Sequence, residues 1–531
     1  GINDNYGILE YAQHGMPSIL TGLALVKLLH LAYSTAPGVP WHGLCYYLFH
    51  VLSVFVWLWS FSRVFRPWWL AAAFSTVFLG YYLPYLLFLD YTTTSAMLCA
   101  GSLVWAFLEV LEEAPGYLRF LAPGVMFTLG ELARPEVPLG SLSYAFPLAL
   151  LVIFWKMRLQ TLRRAVPRLA LISLIFFAPM LVNLAGNTVY AVYFKSPQQL
   201  QYERFDAARK ALEKHTTRPT KRKIMRDAPL LASVGWTFID AYHMFNWNYL
   251  DERVDTVQAL QTLLEKAPPQ HVAFRDFIGS MRGWFDFNQF TVLLLGSALI
   301  SLLILRCQPW LGTVALAAPF YCIVFSTFMS LYFTYTSRTQ DPLVTAYGFL
   351  ALIISYRIAT AAGQEQSKLP IAVALVSILL AGIGAYSILS AEAAVRDKHV
   401  GVISAAQEQL DILNQDYAGS VILMDPNGGM PIFKLDPLKY HPVLFQPIDL
   451  GWSTFSPLFY QQIAKLGIQH GYQLVDALIA NQNAYELGDQ QWCENLLDYA
   501  SNRGQRHIDV VEVRKLPGGR YNLYRFEEKN R

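Results

Sequence analysis

Charge is scarce in this chain. Acidic and basic residues together make up 15% of 531 positions and the formal net charge is only +3, so no field of either sign is available to draw in nucleic acid or another polyanion. Cysteine is scarcer still. Cys45, Cys99, Cys307, Cys322 and Cys493 show no paired spacing and four of the five fall in apolar runs, which offers neither a disulfide framework nor a zinc pattern. No HExxH, CxxC or ordered Ser-His-Asp signature occurs, which argues against a protease or a metallohydrolase. The glycine turn MDPNGGMP (424–431) lacks the Lys-Ser/Thr ending and the helix signal of a phosphate-cradling loop, and reads as a strand-to-loop turn. Internal repeats and low-complexity tracts are also missing.

What is plentiful is apolar surface: 54% of residues are hydrophobic and 14% aromatic. That composition belongs to an α-helical polytopic membrane protein. Runs of about twenty apolar residues, enough to cross ~30 Å of hydrocarbon as helix, occur near 42–62, 68–89, 91–111, 117–133, 138–155, 168–191, 289–305, 311–333, 342–358 and 370–390, ten in all. The stretch 17–35 is apolar but carries Lys27 and His30 in its middle, which suits a helix lying in the interface.

Positive charge orients these spans. WKMRLQTLRRAVPR (155–168) places Lys156, Arg158, Arg163, Arg164 and Arg168 in one short connection, and by the positive-inside rule that end is cytoplasmic. Alternation then brings Arg63 and Arg66, Arg306, and Arg357 with Lys368 to the same side. EVLEEAPGYLR (109–119) dissents, because Glu109, Glu112 and Glu113 outnumber Arg119; acids weigh little in this rule. The opening strip GINDNYGILEYAQHG, residues 193–288 and everything beyond about 392 fall on the extracytoplasmic side. A chain that opens there without a leader is expected to lack its first helix in this numbering, which brings the total to about eleven spans.

The domain organisation follows. Residues 1–41 form a first outer loop with interfacial helices, 42–192 and 289–392 are transmembrane, 193–288 is an extracytoplasmic helical insertion, and 393–531 is a small α/β domain. The insertion is too long for a connector and too patterned for disorder. In the tail, strand-like SVILMDP and HIDVVEVRKL precede the hairpin signal LPGGRYNLYRF.

A short acidic loop, then SILTGLALVKLLHLAYSTAPGVPWHGLCYYLFHVLSVF (18–55), LDYTTTSAM (89–97), ELARPE (131–136) and a late outer-loop arginine, Arg338, together resemble the bacterial GT-C membrane glycosyltransferases. The likeness covers most of the first 390 residues as architecture, with loose motifs and no subfamily. It implies transfer of a sugar from a polyprenyl-phosphate carrier to a glycan, lipid or protein acceptor at the outer face of the bacterial inner (cytoplasmic) membrane, with inversion. In that family the base is an acid of the first outer loop, which corresponds here to Asp4, with Glu10 in reserve. Some members use a divalent cation, so metal dependence stays open; no metal ligands are picked out, and no cofactor is required beyond the polyprenyl-phosphate sugar donor.

The residue chemistry is consistent with this role while leaving alternatives. A positioned carboxylate speeds deprotonation of a hydroxyl ~10²- to 10⁴-fold, yet Asp4 also reads as a solvated acid near a frayed chain start. Charge at membrane depth is expensive, which singles out Arg134 and Glu136: a guanidinium suits phosphate oxygens, and an Arg-Glu pair anchoring a helix end fits equally. Arg338, near Tyr335, is a second phosphate candidate or an interfacial anchor. Asp90 lines the acceptor pocket or, more simply, caps the following helix. Lys195 is a further donor-binding candidate. Trp236, Tyr242, His243, Trp247 and Tyr249 read as an aromatic belt at the membrane surface, and Arg218 to Arg226 as a solvated basic face. Competing functions are a lipid or solute transporter, a glycan polymerase or ligase, and a non-catalytic assembly subunit. Against transport, no inverted hydropathy repeat appears and the polar bulk lies on one side.

Overall fold

In a computed structural model the protein is a helical membrane protein that carries a small sheet near its C-terminus. The structure describes residues 2–18, 20–87, 89–112, 116–159, 162–215, 218–246, 249–266, 277–279, 281, 289–332, 337–361, 369–425, 435–436, 438–504, 508–518 and 521–528. Within these, side chains are described for the residues to which a burial is assigned.

The chain opens with an antiparallel helical pair, α1 (Ile2–His14) and α2 (Leu23–Thr35). The two polar residues of α2 explain each other's presence. Lys27 Nζ donates to Gly15 O at 2.6 Å and His30 Nδ1 lies 2.9 Å from Gln13 O, so they satisfy carbonyls that the end of α1 leaves open. Gly15 is required on two counts: its φ is +64°, and a Cβ would meet the His30 ring at 2.8 Å.

Next come α3 (Trp41–Val64), α4 (Trp68–Leu87), α5 (Tyr91–Leu111), α6 (Leu121–Ala133), α7 (Val137–Arg158) and α8 (Leu162–Tyr193). After the insertion follow α14 (Gln289–Cys307), α15 (Pro309–Tyr332), α16 (Ser337–Ala359) and α17 (Leu369–Asp416). Among the described residues eight helices are long and apolar enough to cross a membrane. One of the ten expected spans falls short: residues 117–133 split into a 3-10 turn and the 13-residue α6. Helix α14 covers the expected 289–305, and its apolar part is described over Leu293–Arg306.

Helix α5 and the spanning part of α16 are buried almost throughout, whereas the spanning part of α8 has hardly a buried residue, which puts α5 and α16 at the bundle centre and α8 on its lipid-facing rim. Small side chains let α5 and α6 approach closely. Ser95 Oγ donates to Gly130 O and Ser102 Oγ to Pro123 O, both at 2.6 Å. An aromatic stack of Trp57, Phe61, Phe65, Phe74, Phe78 and Phe349 fills the space between α3, α4 and α16, with Phe65 and Phe74 centred 4.2 Å apart.

At one end of the bundle Arg63 pairs with Glu109 at 2.6 Å and with Glu112 at 2.5 Å, and Arg119 approaches Glu109 at 3.7 Å. Two of the acids that ran against the charge rule, Glu109 and Glu112, are therefore partners of its arginines, and Glu113 lies outside the described residues. The opposite end carries the polar domains. Helix α17 does not stop at residue 392 but continues to Asp416, 48 residues in all, about 70 Å of continuous helix. Its last turns pack Leu410 and Leu413 against Ile422, Leu487 and Leu523 of the sheet.

That sheet has the order β2-β1-β3-β5-β4. Strands β1 (Val421–Met424), β2 (Gln446–Asp449) and β3 (Ala484–Gly488) are parallel, with α18 (Pro457–Ala464) and α19 (Leu474–Ala480) between β2 and β3. Strands β4 (Ile508–Lys515) and β5 (Asn522–Glu528) form the antiparallel hairpin expected from its turn, and α20 (Gln490–Gly504) leads into it.

The insertion holds α9 (Pro197–His215), α10 (Arg218–Arg226), α11 (Ala228–Ala232), α12 (Phe238–Phe245) and α13 (Val257–Lys266). Its aromatic residues are not the membrane-surface belt expected from the sequence. Trp236, His243 and Tyr249 are buried, Trp236 and Tyr249 share one apolar core with the α/β domain, and His243 Nε2 lies 3.0 Å from Asn495 O. The reason is packing: paired with the insertion, the domain covers rings that would otherwise need lipid. Trp247 lies outside the described residues.

Candidate functional site

Four of the sequence-derived candidates, Glu10, Asp90, Arg134 and Glu136, lie at the domain-bearing end of the bundle, where the N-terminus of α5, the turn between α6 and α7, and the helix pair α1–α2 meet. Asp90 caps α5: its carboxylate accepts from Thr93 N at 3.1 Å, as the capping alternative requires. One turn on, Thr94 Oγ1 lies 2.9 Å from His50 Nε2, and His50 Nδ1 lies 2.7 Å from the Tyr82 hydroxyl. This buried polar chain reaches from the helix terminus into the bundle.

Arg134 ends α6 in extended conformation and turns its guanidinium toward α5. It donates to the Tyr91 hydroxyl at 3.0 Å and to Glu136 at 2.7 Å, and sits 5.0 Å from the Tyr91 ring centre. The Arg134–Glu136 pair is the anchor that one sequence reading expected, and it leaves the guanidinium held in one orientation. Just below, Glu131 accepts from Asn183 Nδ2 of α8 at 3.1 Å.

The pair α1–α2 seats itself on this end. Gly22 N donates to Leu132 O at 2.8 Å, and Ile8, Ala12, Leu25 and Leu29 share a core with Tyr46, Tyr91 and Ala133. Glu10 is buried there at 6% exposure. It accepts from Gln462 Nε2 at 3.2 Å and is hydrogen-bonded to the carboxyl of Asp449 at the end of β2. Burial pushes Asp449 up to about 6, with its bond to Glu10 acting the other way. Tyr11 stacks on Trp452 at 5.4 Å, and burial holds its phenol well above the usual range.

Other expected residues are placed differently. Lys195 is engaged with Glu203 at 2.6 Å. Asp4 falls in α1 and Arg338 in the first turn of α16, but the side chains of both lie outside the described residues, as does Tyr335 entirely. No group of three or more ligand-type side chains suited to a metal occurs among the described residues.

Asp449, Gln462, Tyr11 and Trp452 escape sequence reasoning because the residues they meet across the α1 joint are more than four hundred positions away. One signal existed for Asp449: it ends the run FQPID just before Gly451, and acids at the carboxyl ends of parallel strands commonly face a site. No family model, no curated protein and no solved structure matches this chain.

Proposed function

We propose that the protein is a GT-C type glycosyltransferase that moves a sugar from a polyprenyl-phosphate carrier to an acceptor hydroxyl, on the domain-bearing side of the membrane. On this reading that side is the periplasmic face of a bacterial inner membrane. The observation that supports it is the gathering of acids and an oriented arginine, Glu10, Asp90 and Arg134, where the apolar bundle meets the polar domains. A reaction between a lipid-borne phosphate and a water-borne hydroxyl needs that combination at that height.

In the proposed step a carboxylate of α1, Asp4 with Glu10 in reserve, accepts the acceptor's proton. The freed oxygen attacks the anomeric carbon as its bond to phosphate breaks, and the configuration inverts. Arg134 and Arg338 bind the departing polyprenyl phosphate, whose charge they neutralise.

The test is transfer in proteoliposomes supplied with polyprenyl-phosphate sugars. Wild-type protein should consume the donor, and Asp4→Asn should slow transfer by roughly 10²- to 10⁴-fold while still binding the carrier. Wild-type turnover in Asp4→Asn removes it as the base; movement of lipid across the bilayer without any transfer favours a transporter.

A further inference from the structure

Where the first helix packs on the C-terminal domain, two acids meet. Glu10 and Asp449, separated by most of the chain, are both buried, at 6% and 9% exposure, and hydrogen-bonded to each other. A carboxylate cannot donate, so a hydrogen bond between two carboxyl groups contains a proton, and two like charges at such range do not both ionise in a buried site.

The surroundings hold the pair rigidly. Gln462 of α18 donates to Glu10, Tyr11 stacks on Trp452, and Tyr202 of α9 donates to Trp452 O at 2.7 Å. The loop that follows β2 is strained: Phe455, a bulky residue, has φ of +67°, and it is kept there by burial among Phe205, Tyr249 and Phe459. Ser456, next in the chain, caps α18 with its side chain at 3.2 Å from Phe459 N. Strain of this kind persists where the fold over-determines a loop, and here it presents Asp449, Trp452 and Ser456 to α1.

We propose that Asp449 is a positioning residue: its carboxyl shares one proton with that of Glu10 and thereby docks α1, with the acids that the proposed transfer would use, onto the α/β domain. This rests on the transferase reading only for what α1 delivers. The docking itself is a property of the fold.

A shared proton makes docking depend on pH. Asp449 lies at about 6 when buried, above its ordinary 3.8, so the docked form holds a proton that the undocked form has released. Docking is therefore strongest below the ordinary value and weakens as pH rises to the docked one. The titratable groups facing the pair include the phenols of Tyr11, from α1, and Tyr202, from α9, both held protonated by burial. The charges of Asp206 and Arg209 lie behind Tyr202 and pair with each other at 2.6 Å. Between pH 5 and pH 8 the docking equilibrium should fall about tenfold.

The experiment is amide hydrogen exchange of residues 8–14 in the full chain in lipid nanodiscs, corrected for intrinsic exchange. Wild-type protection should drop about tenfold from pH 5 to pH 8. Asp449→Asn, whose amide can donate to ionised Glu10, should retain protection and lose the pH response; Glu10→Gln should do the same from the other side, in case one variant does not fold. A flat wild-type profile overturns the proposal, as does an undiminished drop in both variants. Transfer on the same samples is a separate readout. Should exchange behave as expected while no transfer occurs, the transferase reading falls and the docking role stands. Should transfer keep an identical pH profile in wild type and Asp449→Asn, the positioning role is overturned.

Discussion

Single charged residues carry most of the functional argument, and Arg134 is the most informative. Its guanidinium is held between Tyr91 and Glu136, an arrangement that suits both a structural anchor and an oriented phosphate ligand. Substitution separates them. If Arg134 binds the carrier, Arg134→Ala should weaken binding of a polyprenyl phosphate on the order of tenfold or more, the cost of losing charge-assisted bonds. Glu136→Gln, which removes a competing negative charge, should leave binding unchanged or tighter. A pure anchor predicts destabilisation in both and no change in carrier affinity. Arg338→Ala belongs to the same measurement by isothermal titration, and unchanged affinity removes it from the site. Much of this was readable beforehand, because a charge beside apolar runs marks a position that must be paired or functional. That Lys195 pairs with Glu203 was not readable, since Lys195 lies in the connection between α8 and α9 and no helical periodicity links the two positions.

At the scale of elements, the site depends on how closely α6 lies against α5. Gly130 permits it: a Cβ there would meet Cys99 Sγ at 2.6 Å and Ser95 O at 3.2 Å. Gly130→Ala should push α6, with Arg134 at its end, away from Tyr91. Such overpacking costs ~1–3 kcal/mol, so thermal unfolding should begin at lower temperature and carrier binding should weaken together. Unchanged unfolding would mean that α6 moves freely against α5. The helices themselves are legible from hydropathy, because their apolar runs need the length of the bilayer. One expected span, 117–133, shows the limit. Apolar length fits a span and a shorter buried helix alike, and only neighbours decide between them.

Across the whole molecule, the insertion and the α/β domain behave as one cap because of a few specific joints. Glu252 is the sharpest: it accepts from Gly471 N at 2.7 Å, Tyr472 N at 3.3 Å and the Tyr460 hydroxyl at 3.1 Å. A Cβ on Gly471 would strike the Leu250 carbonyl, so the two segments meet without room to spare. Glu252→Ala should lose about 2–3 kcal/mol of this joint. Limited proteolysis should then cut within 250–256 faster, with the spanning helices still protected; equal cleavage rates would show that the apolar core alone holds the cap. The misplaced aromatic belt belongs to this scale. Trp236 and Tyr249 look like interface residues one at a time, and become core only when a domain far along the chain closes over them.

The sequence by itself determined that the chain lives in a membrane, where most of its helices run, which stretches are polar, and that an α/β unit ends in a hairpin, because these follow from local periodicity and from the energetics of burying peptide and charge. Tertiary structure alone decided which acids meet. Glu10 finds Asp449, Glu109 finds Arg63, and Glu131 finds Asn183, and each contact joins residues whose separation along the chain carries no periodic signal. The energy of a buried charge depends on what lies within a few ångströms of it, and only the folded chain specifies that.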